Sequence, residues 1–384
     1  MRLFFIFMLK LINEEMPNGG VILKIKIKSI SFFIILTMIL SLTAGCGSKK
    51  AENSNLQISE KIDEYVKTAV KEKDFSGTIL VSKNNETILK KGYGKSNIEL
   101  GVNNLPDSEY CIGQITEEFT AAAILKLQEM GELNISDPIS KYVPKYLNGD
   151  KIHISDLLSH TSGIIDFTQL SDYDNIMSYD YSVQRTIDSF KNKNLKFEPG
   201  TSFNSSTSDY YLLGYIIEKV SNQSYNDFLK KYIFKPLKMN NTSCYDAGDI
   251  IKNRAQSYKN NKDGKVSNVE DYYVLRQYSS GGIYSNVSDI YTWLKSFDSG
   301  KIVNKDSLSK LLSDSSQGPY NCGFNKDSLL GKKRYFQNGS NNGYSSTITK
   351  FYKDNTYIII LANKQLSNED LNEMTSNISL LIFK

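Results

Sequence analysis

The order of two hydrophobic periodicities limits the fold more than any other feature of the sequence. Segments with strand-type alternation lie near both ends of the chain, at 75–82, 86–93, 334–337, 345–352 and 356–362. Between them, residues 139–297 have mainly helical spacing, and further helices are predicted at 56–73 and 368–382. Since strands need partners, the outer groups are expected to pair into one antiparallel sheet with a helical lobe inserted between them. The sequence therefore predicts an α+β fold, its sheet flanked by N- and C-terminal helices.

One helix in the middle of the chain is predicted to be fully buried. Residues 115–130 are apolar on nearly every side, Phe119, Ile124 and Leu125 among them, and the run ends before Gly131. A helix that is apolar all round lies inside a domain, and glycine commonly follows a helix end. We expect the first turn of this helix to matter most for any site.

Composition favours one folded domain and excludes several kinds of partner. A chain of 384 residues with 40% hydrophobic content can bury a full core. The 46 basic and 42 acidic residues nearly cancel, so no polyanionic partner, and thus no nucleic acid, is expected. Cys111, Cys244 and Cys322 are too widely spaced to suggest a metal site, and three thiols allow at most one internal disulfide bond. No metal and no cofactor is predicted.

The N-terminus has the layout of a signal peptide. Lys24, Lys26 and Lys28 precede an apolar run over 30–42, and small residues then lead to Cys46. This resembles a bacterial lipoprotein signal with Cys46 as the lipidated residue, and an uncleaved membrane anchor is the alternative. We expect an extracytoplasmic protein held at the cell membrane by its lipid. The predicted organisation is a signal peptide over 1–45 with its true start near residue 23, a lipidated tether over 46–55 and one domain over 56–384.

Six segments of the chain resemble, in the same order, those of the serine β-lactamase and penicillin-binding-protein family, in the branch of class C β-lactamases, D-alanyl carboxypeptidases and esterases. They are 110–127, 157–164, 199–203, 210–221, 233–239 and 280–289. The resemblance implies an antiparallel sheet with an inserted helical lobe, which agrees with the order of elements inferred from periodicity. It also implies an acyl-transfer site at the start of the buried helix.

The residues that carry acyl transfer in this family are replaced here. The family uses Ser-x-x-Lys, in which the serine attacks a carbonyl and the lysine, one helical turn later, helps to remove its proton. This chain has Gln114 and Glu117 at those positions. An amide is not a nucleophile of that type, and a carboxylate cannot replace an ammonium group. Glu117 is expected to make the pocket acidic, with no matched base.

The other two family motifs are also altered. Ser205 and Thr207 occupy the positions of the Tyr-x-Asn motif, and Gln337 occupies the basic position of the edge-strand motif that helps form the oxyanion site. Gly339 keeps that strand able to approach a ligand, and Gly339 and Gly343 are predicted to line the cleft.

These replacements predict a non-catalytic protein that binds a peptidoglycan fragment, a peptide or a protein partner through the former cleft. The alternative is an active serine hydrolase with a relocated nucleophile, for which Ser205, Ser206 and Ser208 are candidates. A third hypothesis is a purely structural lipoprotein whose cleft is filled by side chains. His160 lies in a segment that is a structural turn in the family, so we expect it to be structural.

Overall fold

A seven-stranded antiparallel sheet joins the two ends of the chain in the computed structural model of the protein. The structure describes residues 54–176, 182–244, 250–269, 276–312 and 320–384. Cys46 and the signal peptide lie outside these residues. The strands of the sheet, from one edge to the other, are β10 (Tyr320–Asn321), β11 (Phe324–Leu329), β12 (Lys332–Asn341), β13 (Tyr344–Phe351), β14 (Thr356–Ala362), β1 (Gly77–Lys83) and β2 (Glu86–Tyr93).

The contact between the N- and C-terminal strands lies deep in the sheet. β1 pairs with β14 in antiparallel register, from Gly77 opposite Ala362 to Lys83 opposite Thr356. Both strands are apolar at consecutive positions and buried along almost their whole length. Continuous hydrophobicity of this kind is expected where both faces of a sheet are covered. The predicted pairing of the outer segments is therefore confirmed, together with the α+β class.

Helices cover both faces of the sheet. On one face, α1 (54–72) and the C-terminal helix pack Ile62, Val66, Met374 and Ile378 against the sheet. On the other face lies the helical lobe. The other α-helices of the described residues are α2 (Thr116–Glu129), α3 (Ile154–Leu158), α4 (Tyr173–Ile176), α5 (Val183–Phe190), α6 (Thr207–Ser221), α7 (Tyr225–Leu229), α8 (Lys235–Leu237), α9 (Tyr278–Gly281), α10 (Val287–Ser296), α11 (Lys305–Leu311) and α12 (Asn368–Phe383).

The lobe is organised around α2, as the all-apolar pattern predicts. Its residues from Thr116 to Leu125 are all buried. The Thr120 hydroxyl donates to the Ser279 carbonyl at 2.7 Å, and the Ser279 hydroxyl donates to the Tyr210 carbonyl at 2.8 Å, so α2, α9 and α6 are tied together. A Cβ at Gly214 would lie 2.1 Å from the Ser279 hydroxyl oxygen, so only glycine fits there.

The sequence did not predict the shorter strands. Two-stranded pairs form between β3 (Lys95–Asn97) and β4 (Val102–Asn103) and between β7 (Tyr258–Asn260) and β8 (Val266–Asn268). A third small sheet contains β5 (Tyr110–Cys111), β9 (Ile283–Ser285) and β6 (Ser243–Cys244). Segments this short carry too little alternation to be recognised. Within the described residues, no helix is both long and apolar enough to cross a membrane.

Candidate functional site

The N-terminal turn of α2 places Gln114 against strand β12. A 3₁₀ turn, Gly113–Ile115, precedes the helix, and Gly113 has a φ of 55°, where a side chain would strain the backbone. A Cβ at Gly113 would also lie 2.5 Å from the Ser340 nitrogen. This close approach lets the Gln114 side-chain oxygen accept a hydrogen bond from the Ser340 N–H at 2.7 Å. The amide of Gln114 thus occupies a backbone donor of β12, beyond the stretch that pairs with β11.

Glu117 is buried and surrounded by donors. Glu117 is 3% exposed, and its Oε2 accepts a hydrogen bond from the Tyr320 hydroxyl at 2.6 Å. The Gln337 amide reaches the same oxygen at 3.5 Å, and His160 Nε2 lies 3.8 Å away. Charge-assisted hydrogen bonds to a carboxylate are the stronger kind, and a buried carboxylate needs them. Glu117 is therefore the acceptor of a closed polar cluster.

His160 is the basic residue that faces Glu117. Burial alone lowers the pKa of His160, but hydrogen bonding and charge from Asp209 and Glu117 outweigh it and raise the pKa to about 9. Nδ1 lies 2.9 Å from Asp209 Oδ2, and the Ser162 hydroxyl donates to Asp209 Oδ1 at 2.5 Å. The expectation that Glu117 has no matched base was wrong, because a protonated His160 stands between two carboxylates.

The side chains at the Tyr-x-Asn positions, Ser205 and Thr207, make contacts that differ from those of the Glu117 cluster. Ser205 is exposed, and the Thr207 hydroxyl donates to Asp166 Oδ2 at 3.3 Å. Thr207 is the first residue of α6, the helix that also contains Asp209. Neither side chain provides a phenol or an amide to the site.

The positions predicted on an edge strand lie on β12, which pairs with both β11 and β13, so the prediction of an edge strand was wrong. Gln337 is 5% exposed, and its oxygen accepts from the Asn325 amide at 2.7 Å while its own amide reaches Glu117. A Cβ at Gly339 would lie 2.1 Å from the Ile112 carbonyl oxygen, so glycine allows β12 to pack on the chain before α2. Gly343, with a φ of 86°, lies in the turn after β12 and packs on Tyr258. The glycines thus face neighbouring backbone.

A family model described as Beta-lactamase matches residues 62–382, almost the whole folded part of the chain. The chain belongs to the beta-lactamase family. It is 29% identical over 340 residues to PbpX of Bacillus subtilis (strain 168), classed with the penicillin-binding proteins, covering 87% of this chain and 82% of the relative. It is 27% identical over 330 residues to the teichoic acid D-alanine hydrolase of Staphylococcus aureus, covering 84% and 78%.

Solved structures agree with this membership. The octameric penicillin-binding protein homologue from Pyrococcus abyssi superimposes with a TM-score of 0.75 and 28% identity, over 84% of this chain and 77% of the other. The fold recognised in the sequence is confirmed. A hydrolase is among the proteins that the chain resembles.

Tyr320 is the site residue that the sequence analysis missed. It lies on the two-residue strand β10, stacks on the His160 ring at 4.7 Å between centroids, and donates to Glu117. Phe203, at the surface beside it, has its ring centroid 5.9 Å from that of Tyr320. No member of the recognised motifs includes Tyr320. The local sequence, Tyr-Asn-Cys-Gly-Phe, contains an aromatic residue that could have been singled out. That this segment forms a short edge strand is evident only from the pairing within the sheet.

The three cysteines within the described part of this beta-lactamase-family chain, Cys111, Cys244 and Cys322, are free thiols. Burial raises the pKa of both Cys111 and Cys322 to about 12, so each is a neutral thiol at physiological pH. The Cys111 thiol contacts the Gly281 carbonyl at 3.2 Å. These side chains serve packing and have none of the thiolate character that nucleophilic catalysis needs.

Proposed function

We propose that this beta-lactamase-family chain is a non-catalytic binding protein. One observation carries the proposal: Gln114, at the nucleophile position, directs its side-chain oxygen to the Ser340 N–H at 2.7 Å. In the family's chemistry the edge strand helps to stabilise the negative charge that develops on the substrate. Here the protein's own amide uses that donor, and no hydroxyl stands in its place to attack a carbonyl.

The charges of the site support the same conclusion. Acyl transfer in the family needs an ammonium group beside the nucleophile, and this chain holds the Glu117 carboxylate there, accepting from Tyr320 at 2.6 Å. The nearest cation, His160, is shared with Asp209 at 2.9 Å and is buried. A penicillin or a D-alanine-terminated peptide carries its own carboxylate, so it meets a negative group where the family presents a positive one. Such ligands are expected to bind poorly.

The surface above the sealed cluster is the proposed binding surface. Phe203 is 39% exposed and Ser205 is exposed beside it. An exposed aromatic ring with adjacent polar groups is a common element of peptide and glycan recognition. The proposed ligand is a cell-wall fragment, a peptide or a protein partner that contacts the mouth of the former cleft. Hydrolase relatives named for teichoic acid support a cell-wall setting, and we propose lipid attachment at Cys46 on the outer face of the membrane.

The alternative is an active hydrolase with a relocated nucleophile, which the hydrolase relatives favour. The Ser162 hydroxyl donates to Asp209, and the Ser208 hydroxyl donates to the Ile165 carbonyl at 2.7 Å. His160 Nε2 and the Ser206 hydroxyl each lack a hydrogen-bond partner in the part of the chain that the structure describes. A serine activated by an imidazole therefore does not occur among these groups.

Turnover assays separate the two functions. The purified chain is incubated with nitrocefin, p-nitrophenyl acetate and a D-alanyl-D-alanine peptide, with Gln114→Ala as the matched control. We expect the wild type and the variant to give the same rate as buffer. Turnover that persists in Gln114→Ala and is abolished in Ser205→Ala or Ser206→Ala would establish the active hydrolase.

Binding is measured separately, by co-sedimentation with purified cell walls. Phe203→Ala is expected to weaken binding, whereas Leu100→Ala, which removes a 76% exposed apolar side chain elsewhere, is expected to leave it unchanged. Equal binding by the two variants would show that the ligand does not bind at the surface around Phe203.

A further inference from the structure

Three turns of the main sheet lie together at one end of the domain. They connect β1 to β2, β11 to β12 and β13 to β14, which the antiparallel order places at the same end of the sheet. The Asn84 N–H donates to the Asn355 carbonyl at 2.9 Å and joins two of the turns. Leu330 and Tyr352 remain 45% and 36% exposed on them. We call this surface the turn face; it comprises residues 83–86, 330–333 and 352–355.

The first turns of α1 lie beside the last turns of α12. The two helices are antiparallel, since the Asn377 amide donates to the Tyr65 hydroxyl at 3.1 Å and Lys73, just after α1, pairs with Asp370 at 2.9 Å near the start of α12. The chain therefore enters the folded domain at the C-terminal end of α12.

The end of α12 contacts the turn face. Lys83 Nζ donates to the Ile382 carbonyl at 3.3 Å, and Lys332 Nζ lies 4.6 Å from the centroid of the Phe383 ring. The entry point of the chain and the turn face are thus at the same end of the domain. Seven residues separate Cys46 from residue 54, the first of α1, and a fully extended stretch of that length spans about 28 Å.

The turn face is basic. Its three segments contain four lysines and two acids. Lys332 forms an ion pair with Asp354, which sets three lysines against Glu86, namely Lys83, Lys333 and Lys353. Because salt screens charges beyond about 8–10 Å, these lysines and not the small net charge of the whole chain decide what the surface attracts. An anionic surface complements them.

We propose that the turn face contacts the surface of an anionic lipid bilayer. Leu330 and Tyr352 lie at the level of the headgroups, where side chains with an apolar body and a polar tip are favoured, and the lysines meet the lipid phosphates. Each lysine near such a surface strengthens binding by roughly fivefold. The direction of approach rests on the proposed lipid attachment at Cys46, since a bilayer that holds this lipid stays within reach of the start of α1. The opposite end of the domain then faces away from the membrane.

The test places a fluorescent reporter at each end of the full chain on vesicles. Leu330→Trp reports on the turn face. Leu100→Trp is the matched control, because Leu100 is a 76% exposed leucine in the hairpin of β3 and β4, whose first residue, Lys95, accepts from Ser76 just before β1. The natural Trp293 is fully buried and gives a constant background. The vesicles contain phosphatidylglycerol and phosphatidylcholine with brominated acyl chains, and bromine quenches an indole only at close range.

We expect brominated lipid to reduce the Leu330→Trp emission about twofold and to leave the Leu100→Trp emission unchanged. Lys333→Gln with Lys353→Gln should lessen the quenching, whereas Lys259→Gln with Lys262→Gln, changes to exposed lysines around the β7–β8 turn, should not. Tyr352→Trp on the neighbouring turn is an independent reporter if Leu330→Trp does not fold, which thermal melting shows.

Three outcomes would overturn the proposal. They are equal or stronger quenching at position 100, equal effects of the two pairs of lysine changes, and a blue-shifted Leu330→Trp emission without quenching, which would assign the turn face to a protein partner or a second copy of the chain. The intact mass of the chain purified from membranes shows separately whether Cys46 carries a lipid. Because Phe203→Ala is read on purified cell walls without a bilayer, failure of the proposed function is distinguishable from failure here.

Discussion

Two neighbouring carboxylates in the first turn of α2 have opposite surroundings. Glu117 accepts from Tyr320 at 2.6 Å and faces a protonated His160. Glu118 is 0% exposed, and one of its oxygens accepts from the Trp293 indole N–H at 2.6 Å, while the other has no partner among the described residues. Burial raises the pKa of Glu118 well above its ordinary value. One side chain thus belongs to a polar cluster with a cation beside it, and burial in the core raises the pKa of its neighbour.

The difference distinguishes the two sides of α2. On the cleft side, Glu117 belongs to a cluster with Tyr320, Gln337 and His160. On the core side, Glu118 fills a tight space, since a Cβ at Gly323 would lie 2.6 Å from its backbone nitrogen. The helix dipole favours a charged carboxylate in this first turn by about 0.3–1 kcal/mol, whereas burial disfavours the charged form of Glu118. What separates them is the availability of a cation and of hydroxyl donors.

Glu117→Lys should break the comparison most severely. The ammonium would face a protonated His160 and leave Tyr320 without its acceptor, so removal of this buried pair is expected to lower the free energy of unfolding by about 3–5 kcal/mol. Urea unfolding with a parallel penicillin-labelling assay measures both effects, and no labelling is expected. A variant more stable than the wild type, or one acylated by penicillin, would contradict the account.

A change of pH should weaken the same cluster. The pKa of His160 in the folded chain, about 9, lies above its ordinary value of 6.5. Its contribution is therefore fully present below pH 6.5 and is lost as the pH rises through 9, by an amount on the order of 3 kcal/mol. Urea unfolding across this range is compared with His160→Asn, since asparagine tolerates the φ of 56° at this position. The same fall in both proteins would assign the pH dependence to other groups.

Tyr320→Phe sharpens the role of the phenol. The change removes the donor to Glu117 but keeps the ring that stacks on His160. We expect the free energy of unfolding to fall by about 1–3 kcal/mol, the cost of an unpaired buried polar group. Tyr146→Phe, which alters another buried tyrosine, serves as the control in the same denaturation experiment. Equal effects from both changes would show that the Glu117 contact has no special weight.

Glu118→Gln should have the smallest effect. The amide keeps an acceptor for the Trp293 N–H and is neutral like the protonated acid, so we expect a change within about 1 kcal/mol near neutral pH. The pH dependence of stability should also lessen, because an acid with a raised pKa loses its contribution as the pH rises through that value. Glu117→Gln in the same series is expected to be more destabilising. The reverse order would invert the comparison.

The scaffold was predictable from the sequence, because it depends on local periodicity and on ordered family segments. The strands at 75–82 and 356–362 correspond to β1 and β14, and the helix at 115–130 corresponds to α2. These elements bury whole faces, so their hydrophobic pattern can be recognised from consecutive residues. The loss of the catalytic side chains at Gln114, Glu117 and Gln337 remains a prediction about function.

The contacts that fill the site were not predictable from the sequence. Tyr320 is 203 positions from Glu117 and lies on a two-residue strand, so no local pattern joins them. The link between His160 and Asp209 depends on where the segment before α4 meets the start of α6. Such pairings are decided by tertiary packing, which overrides what short segments show. This is why the acidic pocket was expected and its cation was not.

The most direct test of the central claim is the intact mass of the wild-type chain after incubation with excess benzylpenicillin and, separately, with a fluorophosphonate. Both reagents would acylate or phosphonylate an activated serine. We expect the mass to remain that of the untreated protein in both cases, because no described serine has an imidazole or an amine to activate it. A stoichiometric adduct mapped to one serine would contradict the account and establish an active hydrolase.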